Sequence, residues 1–386
     1  MSEVFGDVYR NKRVFLTGHT GFKGSWMALW LHALGAKVTG YALPPPTTPS
    51  LFDLAGIGGL ITHIEGDIRD ARRLREAVAA ARPHAVFHLA AQSLVRRSYE
   101  DPIETLETNV MGTAQVLEAV RVQANAARPC AVVVITSDKC YENQEWVHGY
   151  RESDPMGGHD PYSMSKGATE LVVASWRRSF ASIDRIADHG LRLASVRAGN
   201  VIGGGDWAGD RIVTDCVASL RAGVPIRLRN PRATRPWQHV LEPLSGYLDL
   251  GARLMTAEPG VAGAFAEGWN FGPADESVWP VSRMVEEFVR VWGRGRWEDC
   301  SDPSAPHEAT LLALSASKAF HRLGWWPTWN VRQALAATVA WFREYDAPGV
   351  VPVDLTMAQI EAFVADARRA GIPWAGSPPP EKRYEQ

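Results

Sequence analysis

Tyr162 and Lys166 stand four residues apart in a stretch with helical character, so both side chains share one helix face. A free phenol titrates near pH ~10 and is a poor base at neutral pH. An adjacent ammonium, joined by a cationic hydride acceptor, stabilises the phenolate and lowers that value. Tyr162 can then take a hydroxyl proton while a hydride leaves the same carbon. Thr136 ends an apolar β-prone run and is expected to hydrogen-bond the same substrate oxygen. Asp138 and Lys139 follow almost at once. An alcohol–ketone redox step needs no second acid and base. The pair therefore suggests an elimination, one group removing a carbon-bound proton and the other protonating a departing hydroxyl. Lys139 can serve as the base only if desolvation or nearby positive charge lowers its pKa. An ordinary loop ion pair is the bland alternative.

A hydride acceptor needs a seat, and the sequence offers one. Gly18-His-Thr-Gly21-Phe-Lys-Gly24 follows the first β-prone run directly and opens a helix. In a dinucleotide loop the first glycine makes the tight turn and the second lets backbone approach a pyrophosphate. The third allows close helix–strand packing, and the helix N-terminus faces the anion. His19, Thr20, Phe22 and Lys23 are carried with the loop as cofactor-binding residues. The acid that should close the second strand and hold the adenosine ribose is missing, since Val38-Thr-Gly-Tyr-Ala-Leu-Pro44 contains none. NAD is the expected cofactor, with its preference over NADP less secure for that reason. Asp67, with Ile68 beside it, is expected at the adenine, and a plain turn role is its alternative.

The elements around these residues alternate. Expected strands are Arg13–Thr17, Lys37–Tyr41, Ile61–Glu65, Ala85–Leu89, Ala131–Thr136 and Leu191–Arg197. Expected helices are Ser25–Leu34, Ala71–Ala81, Val110–Val122 and Tyr162–Phe180. Strands separated by helices imply a parallel sheet covered on both faces, an α/β, Rossmann-type, doubly wound fold. Beyond about Gly199 the segments shorten and fill with Gly, Pro, Trp and Arg. A smaller mixed α/β substrate domain is expected there, its chain crossing back to the main sheet. The expected division is 1–198 for the cofactor, 199–346 for the substrate, and 347–386 for a last helix and a disordered tail, Pro378–Gln386. Thr356 and Gln359 have capping-box spacing and Gly371 marks a stop for that helix.

Composition narrows the class. The chain has 386 residues, 46% hydrophobic and 22% charged, with a net charge of −2. The first two fractions fit a folded globular protein, and the near-neutral balance argues against nucleic acid as a main partner. Cys130, Cys140, Cys216 and Cys300 show no metal-ligand spacing, so no metal is expected, and so few cysteines fit a reducing compartment. The N-terminus carries no apolar signal core. The apolar run between Lys23 and Lys37 is too short to span a bilayer. A cytoplasmic protein with no membrane partner is expected.

With these residues stand longer composite stretches: FHLAAQSLVRRSY (87–99), TNVMGT (108–113), TSDKCYEN (136–143), GYRESDPMGGHDPYSMSKGATEL (149–171), RAGNVIGGGDWAGDR (197–211), RNPRATRPWQHVLEPLSGYL (229–248), WNFGP (269–273) and PHEA (306–309). They run from about Arg13 to about Tyr345. On them the chain resembles the extended short-chain dehydrogenase/reductase family of nucleotide-sugar enzymes, and most of all the branch that dehydrates CDP-D-glucose. That resemblance implies a reaction in which NAD is returned unchanged: oxidation at C4 through Tyr162, C5-proton removal by Lys139, protonation of the C6 hydroxyl by Asp138, and hydride return to C6. The product would be CDP-4-keto-6-deoxy-D-glucose, used in deoxysugar and O-antigen biosynthesis. Relatives acting on dTDP-glucose carry Asp-Glu where this chain has Asp138-Lys139, which favours the CDP branch. The resemblance further implies that Leu89, Ala90 and Ala91 line the cofactor, and that Asn200, Arg211 and Arg235 hold the substrate diphosphate. It also implies a homodimer or homotetramer through the helices at 110–122 and 162–180. Read from composition alone, Arg227, Arg229, Arg232 and Arg235 are a cationic cluster of the kind that suits phosphate, the first three having a solvated face as their plainer reading. Two other functions compete. A 4-epimerase would need Tyr162, Lys166 and NAD but not the pair at 138–139, and a binding or scaffold protein would need no turnover at all.

Overall fold

Branched apolar runs form the strands, and helices return the chain between them. In the computed structural model, which describes Met1, residues 3–302 and residues 311–376, seven parallel strands make one sheet. They are β1 (Arg13–Thr17), β2 (Lys37–Ala42), β3 (Thr62–Glu65), β4 (Ala85–His88), β5 (Cys130–Ile135), β6 (Leu191–Arg197) and β7 (Gly268–Asn270), in the order β7-β6-β5-β4-β1-β2-β3. The order reverses between β1 and β4, and such a switch point opens a crevice at the carboxyl ends of the strands. The α/β doubly wound reading holds, and β7 is the return of the C-terminal half to the main sheet. The PHEA stretch at 306–309 and the tail Pro378–Gln386 lie outside the described residues.

Both sheet faces are buried, and alternation along each strand decides which layer a side chain joins. Phe15, Val86, Val132, Val134 and Leu193 pack under α2 (Ala71–Ala81), α3 (Gly112–Arg121) and α4 (Pro161–Ser179). Leu16, Phe87, Val133, Ile135 and Val196 face α1 (Phe22–Ala33) and α6 (Leu241–Thr256). Between β6 and α6 lies α5 (Ile212–Ala222). The region beyond β6 is built from small strand pairs: Val201–Ile202 with Gln238–His239, Ile226–Leu228 with Trp297–Asp299, and Thr234–Pro236 antiparallel to Val278–Pro280. α7 (Val331–Tyr345) and α8 (Pro352–Arg369) close the described chain.

Three expectations change. α1 starts at Phe22, ahead of the expected Ser25, because extended Gly21 is its N-cap. A π-helical turn, Glu107–Met111, takes the first two residues of the helix expected over Val110–Val122, and α3 starts at Gly112. Thr356 is not a cap: α8 starts at Pro352, whose fixed φ suits a first turn. The Thr356 hydroxyl instead donates to Pro352 O at 2.8 Å and accepts from Trp341 Nε1 at 3.1 Å. A capping box forms at Asn330 and Gln333, the start of α7.

Three buried histidines join the layers. The His88 ring lies 2.7 Å from Thr17 Oγ1 and 3.0 Å from Thr113 Oγ1, linking β4, β1 and α3. Burial lowers His88 and His239 to about 3 and His19 to about 4. Such rings are neutral in the fold but protonate near pH ~6.5 in the unfolded chain. Protons therefore favour unfolding: this contribution is complete above pH ~6.5 and is lost as pH falls toward the folded values. Between pH 7 and 5 each ring should cost about 2 kcal/mol. Denaturant melts across that range should show the loss, with a shallower slope in His88→Asn.

Candidate active site

The glycine loop is built by steric exclusion. Gly18 has φ +75°, and a Cβ on it would lie 2.7 Å from Ala90 N. Only a residue without Cβ lets the chain after β4 pass this close. A Cβ on Gly24 would lie 2.1 Å from Gly18 O, so α1 starts in contact with the turn. At Gly21 the nearest protein atom to such a Cβ is 3.5 Å away, and no side chain caps α1. The amides of its first turn are thus left for an anion. Leu89, Ala90 and Ala91 lie half-buried above the loop, and Phe22 begins α1.

The adenosine end differs from the usual pattern. Buried His19 stands 2.7 Å from His63 on β3, and a Cβ on Gly40 would lie 2.5 Å from the His19 ring. Thr20 donates to Leu43 O at 2.9 Å. Asp67 accepts from Arg69 N at 2.8 Å and from its guanidinium at 2.7 Å, so its carboxylate shapes the turn. Ile68 is buried, and a Cβ on Gly112 would lie 2.6 Å from its Cδ1.

At the other end of the crevice Tyr162 and Lys166 project from α4. The Lys166 ammonium stands 5.9 Å from the centre of the Tyr162 ring. Burial pushes the phenol up to about 12 and the ammonium down to about 8, and a hydrogen bond with Ser137 draws the phenol back down. The one Ser137 proton goes to Asp138 Oδ1 at 2.9 Å. Asp138 is buried, its Oδ2 has no partner, and a Cβ on Gly199 would lie 2.8 Å from that atom. Burial raises the carboxyl, against the pull of Lys139 and Arg235. A buried carboxyl with one unpartnered oxygen leaves a hydrogen-bonding position open toward the crevice. Lys139 is half-buried and sits in the single turn Asp138–Cys140.

Thr136 is a correction. Its hydroxyl is spent on Glu170 Oε1 at 2.5 Å and faces Val196 O at 3.2 Å, away from the crevice. Side chains alternate along a strand, so the next residue, Ser137, takes the place expected of Thr136. That alternation was available in the sequence. Two further residues were not foreseen. Glu170 anchors Thr136, Ser195 and Arg197, the last at 2.9 Å with both partners buried. Tyr247 of α6 accepts from Lys23 at 3.5 Å. Lys23 is half-buried, and desolvation lowers it to about 8, helped by Arg211 and Lys166.

Arg211 pairs with Asp206 at 2.7 Å and reaches Ser93 Oγ at 3.4 Å, across the crevice from the loop after β4. Arg235 is buried near Asp138. Asn200 follows Gly199, its carbonyl taking Gln238 N at 3.3 Å. Arg227 and Arg229 are exposed and paired with Glu298 and Asp210, and Arg232 is exposed, so these three belong to a solvated face. Replacing Ser137 with Ala should lower turnover on the order of 10²-fold, as for loss of one donor to a reacting oxygen. Thr136→Val should instead lower the unfolding free energy by about 1–3 kcal/mol while kcat changes less. Steady-state kinetics and denaturant melts on the two variants separate the roles.

The chain is similar to known proteins along most of its length. The family model described as GDP-mannose 4,6 dehydratase matches residues 15–338. A CDP-glucose 4,6-dehydratase of Salmonella typhimurium is 52% identical over 337 residues, covering 87% of this chain and 92% of that protein. The fold is shared with a Bacillus anthracis dTDP-glucose 4,6-dehydratase solved with NAD (TM-score 0.70, 19% identity, 86% of this chain and 97% of the other). It is also shared with a Thermotoga maritima UDP-glucose 4-epimerase solved with UDP-glucose (TM-score 0.72, 21% identity, 86% and 99%).

Proposed function

We propose that this chain, which belongs to the GDP-mannose 4,6 dehydratase family, is an NAD-dependent hydro-lyase that converts CDP-D-glucose to CDP-4-keto-6-deoxy-D-glucose. The observation that carries the reading is the buried Asp138 carboxyl with a free oxygen, joined through Ser137 to Tyr162. An epimerase has no use for such an acid.

NAD would sit with its diphosphate on the Gly18–Gly24 loop and the α1 N-terminus, lined by Leu89, Ala90 and Ala91, with Asp67 and Ile68 toward the adenine. When bound, it would supply the acceptor for the C4 hydride and the donor that returns a hydride to C6. Tyr162 takes the C4 hydroxyl proton. Its buried phenol stands too high to do this alone, so Lys166 and the added positive charge must lower it. Ser137 holds the same oxygen. The 4-keto group acidifies C5–H, Lys139 removes that proton, and Asp138 delivers its own to the departing C6 hydroxyl. Asn200, Arg211 and Arg235 hold the substrate diphosphate. We assign 1–198 to the cofactor, 199–346 to the nucleotide sugar and 347–386 to the C-terminal helix and tail.

Mass spectrometry on a panel of nucleotide-glucose donors tests this, with CDP-glucose expected to lose one water fastest. Tyr162→Phe should abolish the first oxidation. Lys139→Ala should spare hydride abstraction and stall elimination. Solvent deuterium entering C5 at the normal rate in that variant would acquit Lys139.

Four free thiols and no helix among the described residues long and apolar enough to cross a membrane fit a cytoplasmic place. Ile103, Met111, Val122, Met164, Leu171 and Phe180 are exposed on and beside α3 and α4. A second copy would bury them, forming a homodimer or a larger even assembly. Leu171→Glu should halve the mass measured by light scattering.

A further inference from the structure

A cavity of about 780 Å³ lies behind the catalytic helix, against the C-terminal half of α4. Its other walls are the loop around Arg151, the β6–β7 edge and the short helix Ser317–Leu323. None of the residues assigned above to cofactor or substrate lines it.

The walls are strongly cationic. Among the described residues, Arg151, Arg177, Arg178, Arg197, Lys318 and Arg322 face the space, against Glu152, Glu170 and Glu267. Much of the acid is already committed. Glu170 holds Arg197, and Glu267 is shared by Lys318 and Arg322. Glu152 takes Asn270 N at 2.9 Å, and burial raises its carboxyl. Arg151, Arg177 and Arg178 have no carboxylate partner among the described residues. Arg197, 5% exposed, keeps its Nε without a partner.

Like charges are held together here at a cost that an anion would relieve. Guanidinium forks match phosphate oxygens in geometry as well as charge. The volume is in the range of small-molecule sites, and a single oxyanion would leave most of it empty. The Ser315 and Ser317 hydroxyls, which also line the space, can hydrogen-bond sugar or base groups. We propose that this cavity is a second ligand site, separate from the catalytic centre, for a phosphorylated anion of nucleotide size. The proposal is independent of the reaction assigned above.

Calorimetric titration of the NAD-loaded enzyme, with CDP at saturation in the active site, tests it with inorganic pyrophosphate and ATP as probes. One binding event per chain is expected in wild type. Arg151→Ala and Arg178→Ala should each weaken it roughly tenfold, with CDP affinity unchanged. Arg151 lies off α4, so its variant separates the effect from subunit contacts near Leu171. Tighter binding of ATP than of pyrophosphate supports the proposal, and equal affinities overturn its nucleotide size. No binding in wild type, or equal binding in both variants, overturns it. If CDP itself fails to bind, the nucleotide-sugar reading falls while the comparison of wild type with variants still decides this one.

Discussion

A buried ion pair, Glu170 with Arg197, is the constraint on which the catalytic geometry rests. Both groups are almost wholly out of water, and removing them from it is costly unless every lone pair and proton is matched. Here they nearly are. Glu170 takes Thr136 Oγ1, Ser195 Oγ and Arg197, while Arg197 also donates to Tyr141, which donates to Asn270. The network ties α4 to β5, β6 and β7 at one depth. Because Glu170 lies one helical turn beyond Lys166 and two beyond Tyr162, it sets the height and rotation of both above the β5 tip.

The same pair explains why packing at the sheet edge is so strict. A Cβ on Gly268 would lie 2.7 Å from an Arg197 nitrogen, so a side chain there would push the guanidinium away from Glu170. Opposite, the glycine loop is shaped by a similar exclusion, with Gly18 and Gly24 closed against backbone. One side of the crevice is thus set by charge matching and the other by the absence of side chains. Asp138 Oδ2 is left without a partner at the bottom of the crevice, so the fold alone does not satisfy it.

Burial acts in opposite senses on the groups that face each other. It raises Tyr162 and Asp138, and it lowers Lys23 and Lys166. All four are shifted toward the neutral form, because each charged form gives up its hydration in the crevice. The cationic cavity behind α4 lies outside this cluster and shares with it only the Glu170–Arg197 pair.

The sheet, the glycine loop and the Tyr162–Lys166 pair were legible in the sequence, because periodicity and short-range spacing are local properties. β1, β6 and the helix over 71–81 have the bounds their patterns imply. Thr136 was misplaced, since which of two adjacent residues faces a crevice depends on how the strand sits against its helix. Thr356 was misread because a Trp341 indole fifteen residues earlier in the chain claims its hydroxyl. The uses of Glu170 and Tyr247, and the clustering of Arg151, Arg178 and Lys318 around one space, came only from the tertiary structure. Those contacts join residues far apart in the chain, and no local pattern encodes a distance that folding alone closes.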